Sequence, residues 1–389
     1  MAARSIVIVG AGAFGLAAAL ELRGRGWRVT VLDQGTVPHP DAASTDISKV
    51  VRMDYGSDVL YTEMAQRAIV GWEAWNAQWE RPLFHRDGFL ILTRQPEMPA
   101  GGFEQASFTL LTKRGIPLQR ICRPELARRF PAWNAARYGD GYFNPIAGWA
   151  ESGAVVAMLA RLCRREGVSL QERAPFAGFL ERGSVVCGVR DKLGGEHRAD
   201  FVLLAVGAWT PFILPELQPL LRTTGHAVLH FKPRDPRPFS APHFPVWAAA
   251  IAQTGRYGFP ANADHIVKIA KHGAGVEISD PAQPRKVTEA DIADGRQFLH
   301  ESLPALAEAP LVGSRQCWYG DSTDGDFLID HHPGRPGLVV AGGDSGHGFK
   351  FAPILGALLA DVIERKPHPG AERFLWRNPR AGRESSRQS

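Results

Sequence analysis

The sequence predicts an α/β fold combined with antiparallel β: a Rossmann-like nucleotide-binding domain with an interleaved α+β substrate domain. Three observations carry that expectation. The apolar run Ile6 to Val9 passes without a gap into Gly10-Ala11-Gly12-Ala13-Phe14-Gly15. A second glycine-rich segment, Gly337 to Phe351, follows more than three hundred residues later, and from Thr223 onward the pattern changes to short strands separated by Pro-rich connections. At 389 residues the chain exceeds the size at which one core keeps growing, so two domains are expected, with both glycine segments folding against one ligand.

Ile6-Val7-Ile8-Val9 suits a central parallel strand buried on both faces. Gly10 and Gly12 permit a tight turn close to a pyrophosphate, and Gly15 lets the next helix approach the sheet. Leu16 to Leu22 reads as that helix, Gly24 and Gly26 end it, and Trp27 to Leu32 reads as the next strand. Asp33 then stands where a carboxylate accepts hydrogen bonds from ribose hydroxyls, which disfavours a 2′-phosphate and leaves NAD and the ADP half of FAD both open. Leu60 to Trp79 is a helix with Trp72, Trp75 and Trp79 along one side for core packing. The Pro- and Gly-broken stretch from Arg81 to Gly148, with strand-like Phe89 to Thr93, reads as a first excursion into the substrate domain. Glu151 to Glu166 resumes helix, Val168 to Leu170 is a short strand, and Asp200 to Trp209 is a buried strand running into a turn at Gly207.

The strands at Gly225 to Phe231, Val246 to Ala252 and Ile266 to Ala270 predict a mostly antiparallel sheet carrying the substrate pocket. Pro310 to Tyr319 leads out of it, Val339 to Gly343 forms a last strand and turn, and Phe351 to Ile363 a last helix with Pro353 near its start. Backbone donors between Gly342 and Gly348 suit electron-rich oxygen. The expected division is 1–80, 149–222 and 318–377 for the cofactor domain, 81–148 and 223–317 for the substrate domain, and 378–389 as a flexible tail.

Composition narrows the class of partner. With 44% hydrophobic and 22% charged residues the chain is globular rather than disordered. The net charge of +5, from 45 basic and 40 acidic residues, is dispersed, with Arg377, Arg380, Arg383 and Arg387 near the end, and gives no nucleic-acid footprint. Cys122, Cys163, Cys187 and Cys317 have neither zinc spacing nor disulfide density, so no metal is expected and a reducing cytoplasm is the default compartment. The opening lacks a signal-peptide core and no stretch suits a membrane span, so a soluble protein, taken as a monomer, is expected.

Five segments carry a resemblance to the D-amino-acid-oxidase-like superfamily, in its monomeric sarcosine oxidase, pipecolate oxidase and fructosyl amino acid oxidase branch. They are Gly10 to Gly15, Asp46-Ile47-Ser48-Lys49-Val50-Val51-Arg52-Met53-Asp54-Tyr55-Gly56, Lys268 with His272, Cys317-Trp318-Tyr319, and Gly346-His347-Gly348-Phe349-Lys350. The resemblance spans nearly the whole chain and implies a D-amino-acid-oxidase type of substrate domain with FAD as cofactor, tethered by an 8α-thioether to Cys317. It implies cofactor contacts at Gly10, Gly12, Ala13, Phe14, Gly15, Asp33, Ser44, Lys49, Arg52, Gly207, Trp209, Gly343, Gly346, His347, Gly348, Phe349 and Lys350. It places Lys268 at the flavin face that meets oxygen, His272 near the substrate amine, and Lys350 with Arg52 on the substrate carboxylate. Regular alternation puts Lys268, Ala270 and His272 on one strand face. Tyr319 is expected to line the pocket and Trp247 to supply an apolar wall. Lys49 stands where many sarcosine-oxidase-like chains have arginine, which draws the chain toward the fructosyl amino acid and saccharopine oxidase side.

The implied reaction is oxidation of a secondary amino acid, N-alkyl, cyclic or glycated. A hydride equivalent leaves the carbon next to nitrogen for flavin N5, the imine hydrolyses, and molecular oxygen is reduced to hydrogen peroxide. A flavin dehydrogenase with another acceptor, an NAD-dependent dehydrogenase and a non-catalytic flavin binder are the competing readings.

Overall fold

The structure, a computed structural model, describes residues 3–379; all but the first two residues of the expected tail at 378–389 lie outside them. The first layer is a six-stranded sheet in the order Leu328–His331, Leu338–Gly342, Phe201–Leu204, Ser5–Val9, Arg28–Leu32, Ser169–Gln171. All neighbours run parallel except Leu328–His331, which lies antiparallel at the edge. Ser5–Val9 and Leu338–Gly342 are buried along their whole length and almost wholly apolar because both faces are covered. The helices Ala13–Gly24, Ser152–Arg165 and Ala352–Ile363 pack on one face, and Val186, Val189, Leu214 and Leu217 cover the other. The two ends of the sequence therefore meet: the last helix lies on the first so closely that a Cβ on Gly356 would press against the Ala17 carbonyl.

The second layer is a nine-stranded sheet built around Leu221–Phe231, which pairs with Val267–Lys271, Val276–Glu277 and Leu311–Ser322. It is antiparallel except where Val246–Ala249 lies parallel to Phe89–Thr93, the join between the two excursions of the chain. Helix Glu289–Ser302 backs this sheet. A capping box starts it, Thr288 Oγ1 accepting from the Asp291 amide at 3.1 Å and Asp291 accepting from the Thr288 amide at 2.9 Å. Its Phe298 stacks on Trp247, ring centroids 5.6 Å apart.

Three features depart from the sequence reading. Strands Leu221–Phe231 and Leu311–Ser322 run unbroken through the expected boundaries at 222/223 and 317/318, because one ladder joins them over their whole length. An antiparallel three-stranded sheet, Phe176–Arg182, Val185–Asp191 and Glu196–Arg198, occupies a stretch without an assigned element. A further small sheet pairs Lys49–Val51 with Gly148–Ala150, which brings the run from Asp46 to Gly56 between the two layers.

Candidate active site

A cavity of about 500 Å³ opens at the carboxyl ends of the parallel strands and runs from Asp33 and Gln34 past Gly10, Gly12 and Phe14 to Tyr319, Gly346 and Phe349. Its floor requires glycine. Gly10 has φ +104°, and a Cβ there would run into the Ala205 carbonyl, as one on Gly15 would run into the Gly10 carbonyl. The helix that follows has no side-chain cap and no acidic residue in its first turn, so its leading N–H groups and positive dipole end are left for an anion. Asp33 is held by hydrogen bonds accepted from the Ala11 amide at 2.9 Å and the Gly35 amide at 3.0 Å, while burial pushes its carboxyl pKa up. Uncapped helix, cleared turn and anchored carboxylate fit the pyrophosphate and ribose of a dinucleotide. Ala13, Ser44, Lys49, Gly207 and Trp209 line the same cavity.

A smaller cavity of about 100 Å³ shares Lys49, Tyr319, Gly346 and Phe349 with the larger one. Phe89, Phe103, Val246, Ala248 and Phe259 give it apolar walls, and Arg52 and Lys350 bring positive charge. Lys350 sits in the tight turn Gly348–Phe351; its Nζ donates to Tyr55 Oη at 2.9 Å and to the His347 carbonyl at 2.8 Å. Trp72 Nε1 donates to the Lys350 carbonyl at 2.7 Å, so the tryptophan expected in the core also anchors this turn. The Arg52 guanidinium carbon lies 5.1, 5.8 and 5.7 Å from the ring centroids of Tyr55, Phe89 and Phe103. Among the described residues its buried Nη1 has no hydrogen-bond partner, and no carboxylate lines the cavity. Tyr319 and Tyr257 stand with hydroxyls 3.2 Å apart, and burial pushes both phenol pKa values up.

Several expected contacts fall elsewhere. Arg52, His347 and Lys350, also expected against the cofactor, line the smaller cavity and not the larger. Gly343 faces Leu221 and the Asp326 carbonyl while its neighbours Gly342 and Asp344 line the larger cavity; Gly348 packs against Phe14. Trp247 is in the core beside Trp133 and Phe298 instead of in the pocket wall, because strand alternation turns Val246 and Ala248 to the cavity and Trp247 to the other face.

Lys268 and Cys317 line neither cavity and lie just behind their junction. Lys268 Nζ donates to Asp46 Oδ2 at 2.6 Å and to the Ser48 carbonyl at 2.5 Å, with the Phe259 ring centroid 4.5 Å away. Lys49 Nζ is 4.0 Å from the same Asp46 oxygen and 3.7 Å from Cys317 Sγ. A buried sequence of contacts thus runs from Cys317 through Lys49 and Asp46 to Lys268. Burial lowers the Lys268 pKa against the pull of Asp46; burial also opposes ionisation of Asp46, but Lys268 and its other cationic neighbours hold that carboxyl well below its usual range.

The strand carrying Lys268 ends at Lys271, so His272 is not paired with Lys268 across a regular strand face. Its ring lines the smaller cavity and lies 6.4 Å from that of His226. His226 stacks on Tyr319 with centroids 4.2 Å apart, and its Nε2 lies 2.9 Å from Thr224 Oγ1. Burial brings its pKa down to about 4. Because the folded value lies below the unfolded value near 6.5, stability is lost as the pH falls from about 6.5 toward 4, by up to about 3 kcal/mol. Urea unfolding across that window should show this loss, and His226→Phe should remove it; an unchanged slope in the variant assigns the acid sensitivity elsewhere.

Asp46, Tyr55, His226 and Tyr257 received no role from the sequence. Asp46 stands three residues before Lys49 and Tyr55 three after Arg52, inside one motif, and that spacing is the signal that could have found them. His226 and Tyr257 reach the site only through strand pairing.

Comparison with known proteins bears on this geometry. A profile of the family described as FAD dependent oxidoreductase matches residues 5–362. The chain is similar to the N-methyl-L-tryptophan oxidase of Salmonella arizonae, 29% identical over 370 residues that cover 93% of this chain and 95% of the relative. Among solved structures it resembles a thermally stable mutant of fructosyl peptide oxidase, with TM-score 0.87, 22% identity, and coverage of 99% of this chain and 96% of that one. It also resembles the fructosyl amine:oxygen oxidoreductase, Amadoriase I, of Aspergillus fumigatus, with TM-score 0.80, 26% identity, and coverage of 96% and 90%.

Proposed function

Since this chain belongs to the FAD dependent oxidoreductase family, we propose that it oxidises the carbon–nitrogen bond of a secondary amino acid, N-alkyl, cyclic or glycated, at the junction of its two cavities. One observation carries the reading: Arg52 and Lys350 converge on a small apolar-walled cavity that shares Lys49, Tyr319, Gly346 and Phe349 with the dinucleotide cavity. A buried Arg52 Nη1 without a partner favours a ligand that brings a carboxylate. The relatives named N-methyl-L-tryptophan oxidase and fructosyl amine:oxygen oxidoreductase support the same substrate class.

FAD, when bound, supplies a two-electron acceptor that oxygen can regenerate with formation of hydrogen peroxide. Gly10, Gly12 and the first turn of the helix Ala13–Gly24 would hold its pyrophosphate, Asp33 its ribose, and Tyr319, Gly346 and Phe349 the far end. Arg52 and Lys350 bind the substrate carboxylate and so fix the carbon next to nitrogen at the junction. Lys49, Arg52 and Lys350 together oppose a cationic amine, so the substrate is held as the neutral amine and its proton is left to solvent. Tyr319 and Tyr257, kept protonated by burial, offer hydroxyls to that amine, and the aromatic walls exclude water. His272 lines the smaller cavity, and Lys268 supplies the buried positive charge for the reaction with oxygen.

Cys317 is the residue for the covalent tether. It lies two residues from Tyr319 on one strand face, with its sulfur 3.7 Å from a lysine that lines both cavities. Anaerobic mixing of the yellow protein with N-methyl amino acids, pipecolate and fructosyl amino acids should bleach the flavin; failure of the whole panel rejects the substrate class. After denaturation and filtration the colour should stay with the polypeptide, and Cys317→Ser should pass it into the filtrate. Colour in the filtrate from the unmodified chain would remove the tether and leave the oxidase reading intact.

A further inference from the structure

Beside the smaller cavity lies a third, of about 490 Å³, which has Ile251 and His272 in common with it. The short helix Ile251–Thr254, entered through Ala250 at φ +47°, forms part of this partition. Beyond it the chemistry changes from apolar to ionic: Arg94, Arg256, Lys271, Asp294 and Glu301 line the third cavity. Asp294 accepts from Arg256 at 2.5 Å and from Lys271 at 2.8 Å. Glu301 accepts from Arg94 at 3.1 Å and from Arg137 at 2.7 Å. Each carboxylate is therefore shared by two cations, which leaves the cluster net positive, and among the described residues the buried Arg94 Nε has no hydrogen-bond partner.

Size links this charge to the reaction. The smaller cavity, of about 100 Å³, has about a fifth of the volume of either neighbour. A longer substituent can extend past Ile251 and His272, the residues that the two cavities share, toward the cationic cluster. We propose that the third cavity is a distal subsite for the anionic end of the substrate: a secondary amino acid with one carboxylate at Arg52 and Lys350 and a second anion, carboxylate or phosphate, at Arg94 and Lys271. This rests on the proposed oxidase reading and narrows its substrate class. The apolar walls of the smaller cavity, between the two cationic stations, favour a hydrocarbon spacer between the two anions.

The test uses the yellow holoenzyme and three N-alkyl glycines of matched chain length, ending in carboxylate, phosphate or carboxamide. KM is measured for each, and calorimetry measures binding of thioether analogues in which sulfur replaces the amine. At least one anionic ending is expected to bind about tenfold tighter than the carboxamide, an advantage that shrinks with salt. Arg94→Gln and Lys271→Gln should abolish the preference while N-methylglycine keeps its KM, and Lys271→Arg should retain it. Equal binding of all three endings overturns the subsite, as does an anionic preference that survives both substitutions. The carboxylate and phosphate arms identify the anion. If no amine bleaches the flavin the oxidase reading fails, and the thioether titrations still decide the subsite.

Discussion

Lys350→Met and Arg52→Gln are each expected to lower kcat/KM for N-methyl amino acids by about 10²–10³-fold, the cost of removing one preorganised charged donor from a water-poor site. Geometry sets this size. Lys350 Nζ is fixed by Tyr55 and the His347 carbonyl, its backbone by Trp72, and Arg52 is surrounded by three aromatic rings with a buried donor left over. These contacts hold both side chains in place before a carboxylate arrives. In the proposed arrangement both act on one carboxylate, so their losses should not add in the double variant. Replacing the substrate carboxylate by a carboxamide should cost the unmodified enzyme a similar factor and the double variant almost nothing. Steady-state kinetics across this set checks it: full sensitivity to the carboxamide in the double variant would place the carboxylate elsewhere.

Lys268→Met is expected to slow reoxidation of the reduced enzyme by air by about 10²–10³-fold while anaerobic bleaching changes only a few-fold. The same substitution leaves Asp46 buried beside one fewer cation, and breaking such a pair costs about 3–5 kcal/mol. The double variant Asp46→Asn, Lys268→Met should recover much of that stability without recovering the oxygen reaction, which separates the two roles. Because burial sets the Lys268 pKa below the ordinary lysine value, its positive charge is lost at lower pH than for a free lysine. The air reaction should therefore fall as pH rises through that value, while anaerobic reduction rises as the substrate amine loses its proton. Stopped-flow traces of the two half-reactions against pH test both signs; equal loss in both half-reactions for Lys268→Met would move Lys268 to substrate binding.

The nucleotide-binding architecture was legible because local constraints there are severe. A buried parallel strand reads as a run of branched apolar residues, the turn at Gly10 admits no side chain, and Asp33 follows at the end of the next strand. The motifs around Lys49, Cys317 and Lys350 were legible for a related reason, each being a contiguous segment whose backbone path is short. Trp247 was misplaced because a buried aromatic satisfies core and pocket alike until strand register decides which face it takes. The sheet from Phe176 to Arg198 escaped notice because its strands are half exposed and carry a weak apolar alternation.

By itself the sequence determined that two remote glycine-rich segments serve one dinucleotide fold, because only glycine tolerates those close backbone approaches, and that is written residue by residue. What each charged side chain does was decided by tertiary structure. Ladder pairing with Leu221–Phe231 brings Cys317 and Lys268 onto strands either side of it, and the loop from Asp46 to Lys49 fills the space between them. The charge partners lie more than two hundred residues apart along the chain, and an ion pair depends on distance in space, which no local pattern encodes.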